Sequence, residues 1–198
     1  MPDIILASGS ETRAKILLNA GVKFTVKKPM VDESAIKADL LESGASPRMV
    51  ADALAEAKAR TMSYIHPEDY ILGADQILVK ESKVFSKVSS RDEARTTLQA
   101  LSGSEHRLLS AAAVCQKGLV VWRHVDTVKL SVRPLSEKFI EEYLDAIGEN
   151  AFWSVGCYQF EGIGAQLFTD VDGDYFSILG LPLLPLLDFL RRHQLMPI

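Results

Sequence analysis

At 198 residues, 47% of them hydrophobic, the chain can bury a substantial core and is too apolar to be a disordered or fibrous sequence. A formal net charge of −4 and a pI near 5.6 argue against a nucleic-acid polymer or a membrane surface as partner, so an anionic ligand must be met by Lys and Arg gathered locally. Cys115 and Cys157 have the spacing of neither a metal knuckle nor a disulfide framework, no signal peptide is evident, and the apolar stretch Leu179 to Leu190 is too short to span and is interrupted by Pro182, Pro185 and Asp188; the expected setting is cytoplasmic.

Taken in order, Ile4 to Ala7 predicts a buried strand, and Ser8-Gly9-Ser10 leads from it into a helix over Glu11 to Ala20 that Gly21 stops. With Ser10 as N-cap and Arg13 in the first turn, free backbone N–H groups, hydroxyls and a guanidinium converge as an anion site would require; an ordinary capped strand-helix corner has the same residues. Lys23 to Lys28 reads as extended, and Asp32-Glu33 places two carboxylates at its exit into a loop. Helical spacing resumes through Ile36, Leu40 and Leu41 to Gly44, and Ser46-Pro47 opens another helix. There Val50, Leu54 and Lys58 fall at i, i+4 and i+8, so Lys58 projects along the apolar stripe, either snorkelling or pointing into a cleft.

The run Tyr70 to Val79 is β-prone and apolar except for Asp75-Gln76. A carboxylate in such a run is costly unless it is paired, solvated or given a cation, and Gly73 lets another backbone approach just before it. A turn at Glu81-Ser82-Lys83 returns the chain through Phe85 to Lys87, so a short hairpin is expected to carry an ammonium back towards the acid; the plainer alternative is a strand with one solvent-facing Asp.

Ser90-Arg91-Asp92-Glu93 is a capping box for a helix ending at Ser102-Gly103. His106 to Gln116 and Leu119 to Val132 form a long hairpin about Lys117-Gly118, with His106 expected to pack or cap, and Ser136 caps a helix that ends at Gly148. The last third is rich in glycine around Gly156, Gly162 and Gly164, where backbone is expected to approach a ligand; Gln166-Leu167-Phe168 reads as a strand, and Gly180-Leu181-Pro182 opens a terminal helix that packs on the sheet.

The ordered set Leu6-Ala7-Ser8-x-Ser10-x-x-Arg13-x-x-x-Leu17-Leu18, Val31-Asp32-Glu33, Leu54-Ala55-x-x-Lys58-Ala59, Gly73-Ala74-Asp75, Lys87, Leu101-Ser102-Gly103-x-x-His106, Glu161-Gly162, and Gly173-Asp174-Tyr175-Phe176 with Gly180-Leu181-Pro182 resembles the Maf family over nearly the whole chain. The resemblance implies an α/β protein, one domain over 1–198 with two lobes, built on an elongated mixed β-sheet flanked by helices around a central cleft, and often a homodimer. It also implies a nucleoside triphosphate pyrophosphatase that releases a nucleoside monophosphate and pyrophosphate with Mg²⁺, Mn²⁺ or Co²⁺. By position, Asp75 matches the catalytic proton acceptor, and Ser8, Arg13, Glu33, Lys58 and Lys87 match phosphate- and metal-handling residues; the metal is expected on Glu33 and Asp75, with Asp32 a further oxygen donor, and Ser10 completes the phosphate turn. Glu11-Thr12 stands where family members commonly carry Pro-Arg or Pro-Trp, which removes a cation or an aromatic ring at Thr12, and Lys87-Val88 replaces Lys-Pro. Gln76 and Glu161 resemble the branch that prefers 7-methyl-GTP over the dTTP/UTP branch. The family's name also implies a rival class, a nucleotide-binding regulator of septum formation in which hydrolysis is incidental. A dinucleotide binder fits less well, because no Gly-x-Gly-x-x-Gly follows the first strand.

Overall fold

The computed structural model describes residues 3–197. The fold is α/β, with a mixed sheet flanked by helices, and among the described residues seven strands, β1 (Ile4–Ala7), β2 (Thr25–Val26), β3 (Tyr70–Lys80), β4 (Lys83–Phe85), β5 (Glu105–Gln116), β6 (Leu119–Val132) and β7 (Phe168–Asp172), hydrogen-bond in the order β2-β1-β3-β5-β6-β7, with β4 added on β3. The chain gathers into two compact units, one from the described parts of 1–76, 110–126 and 180–198, the other from 77–109 and 127–179.

In the first unit, β1 (Ile4–Ala7) is a wholly buried apolar run that pairs in parallel with β2 (Thr25–Val26) on one side and β3 (Tyr70–Lys80) on the other. Such unbroken hydrophobicity is what a parallel strand covered on both faces needs. Helix α1 (Glu11–Asn19) follows β1, capped by Ser10, and α2 (Glu33–Glu42) is capped by Asp32, whose Oδ1 accepts from the Ala35 N–H at 3.0 Å. Helix α3 (Pro47–Ile65) starts as its sequence specifies, with Ser46 accepting from Met49 and proline in the first turn. Its buried stripe of Val50, Leu54, Ala55, Lys58, Ala59 and Met62 lies against the sheet.

That contact is unusually close at one point. A Cβ on Gly73 of β3 would stand 2.2 Å from the Ala55 carbonyl oxygen and 2.7 Å from the Ala59 nitrogen, so helix and strand meet backbone to backbone. Farther out, Arg123 of β6 (Leu119–Val132) binds Asp52 and Glu56 of α3, each at 2.8 Å. Helix α6 (Leu183–Arg192) places Phe189 against Tyr70 and Trp122, the sheet packing expected of it. No helix of the described residues is long and apolar enough to cross a membrane.

The second unit packs α4 (Arg91–Leu101) and α5 (Glu137–Ile147) into one core with Leu78, Leu108, Val128 and Leu130. Arg91 and Arg95 of α4 share Glu141 of α5, and together they hold that carboxyl down at about 2. The capping box forms at Ser90 and reaches one residue further back: Ser90 Oγ accepts from Glu93 N–H, and the Glu93 carboxylate accepts from the backbone and hydroxyl of Ser89 as well as from the Ser90 backbone. β4 (Lys83–Phe85) pairs only with Leu78 to Lys80, so the hairpin ladder ends before Lys87.

Two expectations for the last third are corrected. Gln166 and Leu167 belong to a 3-10 turn over Ile163–Leu167, and β7 begins at Phe168 and runs to Asp172. The glycines there make room for the protein's own chain: a Cβ on Gly156 would fall 2.2 Å from the Tyr158 ring and one on Gly164 2.4 Å from the Gln159 carbonyl oxygen. The tightness that the sequence shows around these two glycines is internal packing.

Candidate active site

Asp75 and Gly73 lie two residues apart on β3, so both face α3, and the close approach at Gly73 brings the helix turn that carries Lys58 to the carboxylate. Lys58 Nζ donates to Asp75 Oδ1 at 2.7 Å and to Glu33 Oε2 at 2.8 Å. Lysine and aspartate are both buried, 6% and 8% exposed, while half of the Glu33 side chain faces solvent. An ammonium removed from water is costly unless countercharged, and two carboxylates on one nitrogen meet that need. The expectation that Lys58 leaves the polar face of its helix is met, and its target is Asp75.

Glu33 reaches the group from the first turn of α2. One turn later, Lys37 is half-buried; burial lowers its pKa, and the charge of Asp75 opposes that shift, which places Lys37 within the field of the catalytic candidate. Sequence reading passed over Lys37. Its signal was the i, i+4 spacing from Glu33, which puts both on one helix face.

Arg13 braces the floor. Its Nε donates to the Gly180 carbonyl at 2.8 Å and its NH1 to the Ala74 carbonyl at 3.0 Å and to Ser8 Oγ at 3.3 Å, leaving NH2 as the arm that none of these bonds among the described residues uses. Burial pulls the guanidinium below its ordinary range, against the upward pull of Asp75 and Glu33. By bonding the carbonyl that precedes Asp75, Arg13 fixes the backbone from which the carboxylate springs.

The Ser8–Ser10 turn, where a phosphate is expected, differs from expectation in one donor. Ser10 N–H is given to Ser8 Oγ at 3.2 Å, and Ser10 Oγ accepts from Arg13 N–H at 3.4 Å, so the Ser10 amide is spent inside the turn. The first-turn amides of Glu11 and half-buried Thr12 are those that helical bonding cannot reach. Asp32 commits Oδ1 to its cap, and Oδ2 takes no part in that bond. Gln76 Nε2 donates to Ser110 Oγ at 2.9 Å, tying that amide to β5 (Glu105–Gln116).

Ser8, Arg13, Glu33, Lys58, Asp75 and Gln76 thus share the first unit, together with Lys37. Lys87 and Glu161 belong to the second, Lys87 exposed beyond β4 and Glu161 exposed in the turn before Ile163.

A family model described as Maf-like protein matches residues 3–193. The chain belongs to the Maf family. A nucleoside triphosphate pyrophosphatase of Caulobacter vibrioides is 50% identical over 190 residues, covering 96% of this chain and 95% of that protein. One of the same description from Paramagnetospirillum magneticum is 47% identical over 194 residues, covering 98% and 100%. A 7-methyl-GTP pyrophosphatase of Rhizobium etli is 46% identical over 191 residues, covering 96% of each. The lysine-bridged acid pair lies wholly inside the region the Maf model matches.

Proposed function

We infer that this chain is a nucleoside triphosphate pyrophosphatase, cleaving the α–β phosphoanhydride bond to nucleoside monophosphate and pyrophosphate, with 7-methyl-GTP as its preferred substrate. The observation that carries the reaction is buried Lys58 bridging buried Asp75 to half-exposed Glu33, an acid held in place by a cation with further positive side chains near it. Near-half identity to enzymes described as pyrophosphatases supports the same reading.

Asp75 Oδ1 is engaged by Lys58, and the carboxylate accepts the proton of the attacking water as its oxygen bonds to the α-phosphorus. The bond from that phosphorus to the bridging oxygen breaks, and pyrophosphate leaves with the electron pair. Lys58, Lys37 and the remaining arm of Arg13 supply positive charge for the equatorial and leaving oxygens. Glu33 and Asp75 also fit a divalent metal: both carboxylates already converge on one cationic centre, and their hard oxygens suit Mg²⁺, Mn²⁺ or Co²⁺. Among the described residues no group of three or more His, Cys, Asp or Glu could hold an ion, so substrate phosphates and water would complete its shell. When bound, the metal neutralises triphosphate charge.

Hydrolysis in ¹⁸O-water tests the position of attack. The label is expected in the monophosphate, with pyrophosphate unlabelled, and activity is expected to vanish with EDTA and return with Mg²⁺, Mn²⁺ or Co²⁺. Orthophosphate as the primary product, or label in pyrophosphate, overturns the assignment.

The base preference rests on Glu161 and Gln76 and on relatives described as 7-methyl-GTP pyrophosphatases. The 7-methylated guanine ring is cationic, so a carboxylate attracts it and accepts from its N1–H and N2–H₂ edge, whereas the carbonyls of uracil or thymine meet repulsion. Glu161→Gln is expected to cut the preference for 7-methyl-GTP over UTP about tenfold or more, the worth of one charge-assisted hydrogen bond. Ranked kcat/KM values over 7-methyl-GTP, GTP, dTTP and UTP decide it; a wild type that favours dTTP or UTP, or a ranking untouched by the substitution, removes Glu161 from base selection.

A further inference from the structure

The second unit holds a buried polar pair for which the reaction at Asp75 has no use. His106, at the start of β5, is 1% exposed, and its Nε2 lies 2.7 Å from the hydroxyl of Tyr158, itself 5% exposed. The other ring nitrogen, Nδ1, has no hydrogen-bond partner among the described residues. Burial, with the charge of Lys80, pulls the imidazole down to about 4, so at neutral pH it is uncharged. A polar ring kept at this depth with one nitrogen unsatisfied is a poor solution for packing alone, since an apolar side chain would fill the space without the desolvation cost. What a hydrogen bond adds over apolar contact is direction.

Tyr158 is the residue around which its loop is wound. Ser154 Oγ accepts from the Tyr158 N–H at 3.0 Å and donates to the Tyr158 carbonyl at 2.7 Å, closing the chain on itself. Gly156 has no side chain because the Tyr158 ring occupies that place. Cys157 takes a positive φ of 60°, a conformation that costs a side-chain-bearing residue energy, and Tyr143 holds its carbonyl at 3.2 Å. The Tyr158 ring packs edge-on against Phe168 at 4.8 Å. Beyond it, Gly162 N–H donates to the Gln159 carbonyl at 3.1 Å, and that turn carries Glu161. From β5 to the turn that carries Glu161 the chain is therefore tied by hydrogen bonds and ring packing.

We propose that the His106–Tyr158 hydrogen bond is a positioning device for base selection: it orients the loop over 154–164 and thereby sets where the Glu161 carboxylate stands. His106 and Tyr158 touch no substrate; they act through Glu161, and the role rests on the reading of Glu161 as the base-selecting acid. Nothing in the cleavage chemistry depends on them.

Tyr158→Phe removes the hydroxyl and keeps the ring, and His106→Asn tests the other partner should the first variant pack differently. Each is expected to lower the preference for 7-methyl-GTP over UTP about tenfold, through a higher KM for 7-methyl-GTP, with kcat on either substrate held within about twofold. The decisive comparison is a cycle with Glu161→Gln. If the tyrosine works through the glutamate, the double variant has the preference of Glu161→Gln alone; independent effects would multiply. A Tyr158→Phe protein that melts lower yet ranks nucleotides as the wild type does, or a double variant whose losses multiply, overturns the positioning role while Glu161 keeps its own. Glu161→Gln without effect by itself removes both, and because that single variant is read separately the two failures are told apart.

Discussion

Asp75→Asn is expected to lower kcat for triphosphate cleavage by about 10²- to 10⁴-fold, the range over which a positioned general base contributes. The substitution keeps the side chain's size and shape and removes the charge that accepts the water's proton. Lys58 then loses its 2.7 Å carboxylate partner but retains Glu33 at 2.8 Å and the Ala74 carbonyl at 3.5 Å, so the buried ammonium is never left uncompensated. For that reason the fold should survive, with a loss of about 1–2 kcal/mol and a melting shift of about 2–4 °C for each kcal/mol in a chain of this size. Pyrophosphate release measured beside thermal unfolding separates the two effects. A folded Asp75→Asn protein with normal turnover would sink the assignment of the base. Loss of both activity and fold would mean instead that Lys58 depends on Asp75 alone.

The parts of this site that could be read from sequence are those where a periodic pattern meets a misfit. Lys58 stood out because helix spacing put a charge on an apolar stripe, and Asp75 because a strand that is otherwise apolar kept an acid; each misfit explains the other once α3 lies on β3. Lys37 was invisible by the same logic. Helix α2 buries no residue, and its apolar positions Ile36, Leu40 and Leu41 leave out position 37, so the charge there looked like one on an ordinary polar face; Glu33, on the same face, bonds Lys58. Local competition for donors was also illegible: one serine hydroxyl accepting the amide of the serine two residues on, or an aspartate oxygen engaged in a cap, depends on backbone angles that residue types leave open. The glycine-rich tail shows the third limit. A glycine marks that something comes close, and only the fold says that the visitor at Gly156 is Tyr158 rather than a ligand.

Gly73→Ala is expected to be the most damaging single methyl in the first unit, costing about 3 kcal/mol, the upper part of the usual range for overpacking. The reason is what the new Cβ would meet. Its neighbours at 2.2 Å and 2.7 Å are the Ala55 carbonyl oxygen and the Ala59 nitrogen, both main-chain atoms of a helix, so no side chain can swing aside and α3 must lift from β3. Lys58 sits between those two residues in sequence and rides on the same turn; lifting that turn draws its ammonium away from Asp75 and Glu33. A displacement of about 1 Å at a catalytic group commonly costs 10²-fold in rate, so kcat should fall by about that factor in whatever fraction remains folded. Gly9→Ala is the matched control for stability: there the nearest atoms to a new Cβ are the flexible methylenes of Lys28 at 3.8 Å, an ordinary contact, and melting should hardly move. With about 2–4 °C per kcal/mol, Gly73→Ala should melt about 6–12 °C below the wild type. Equal melting temperatures for the two alanine variants would show that helix and strand are not held backbone to backbone, and with that the account of how Lys58 comes to face Asp75 would fall.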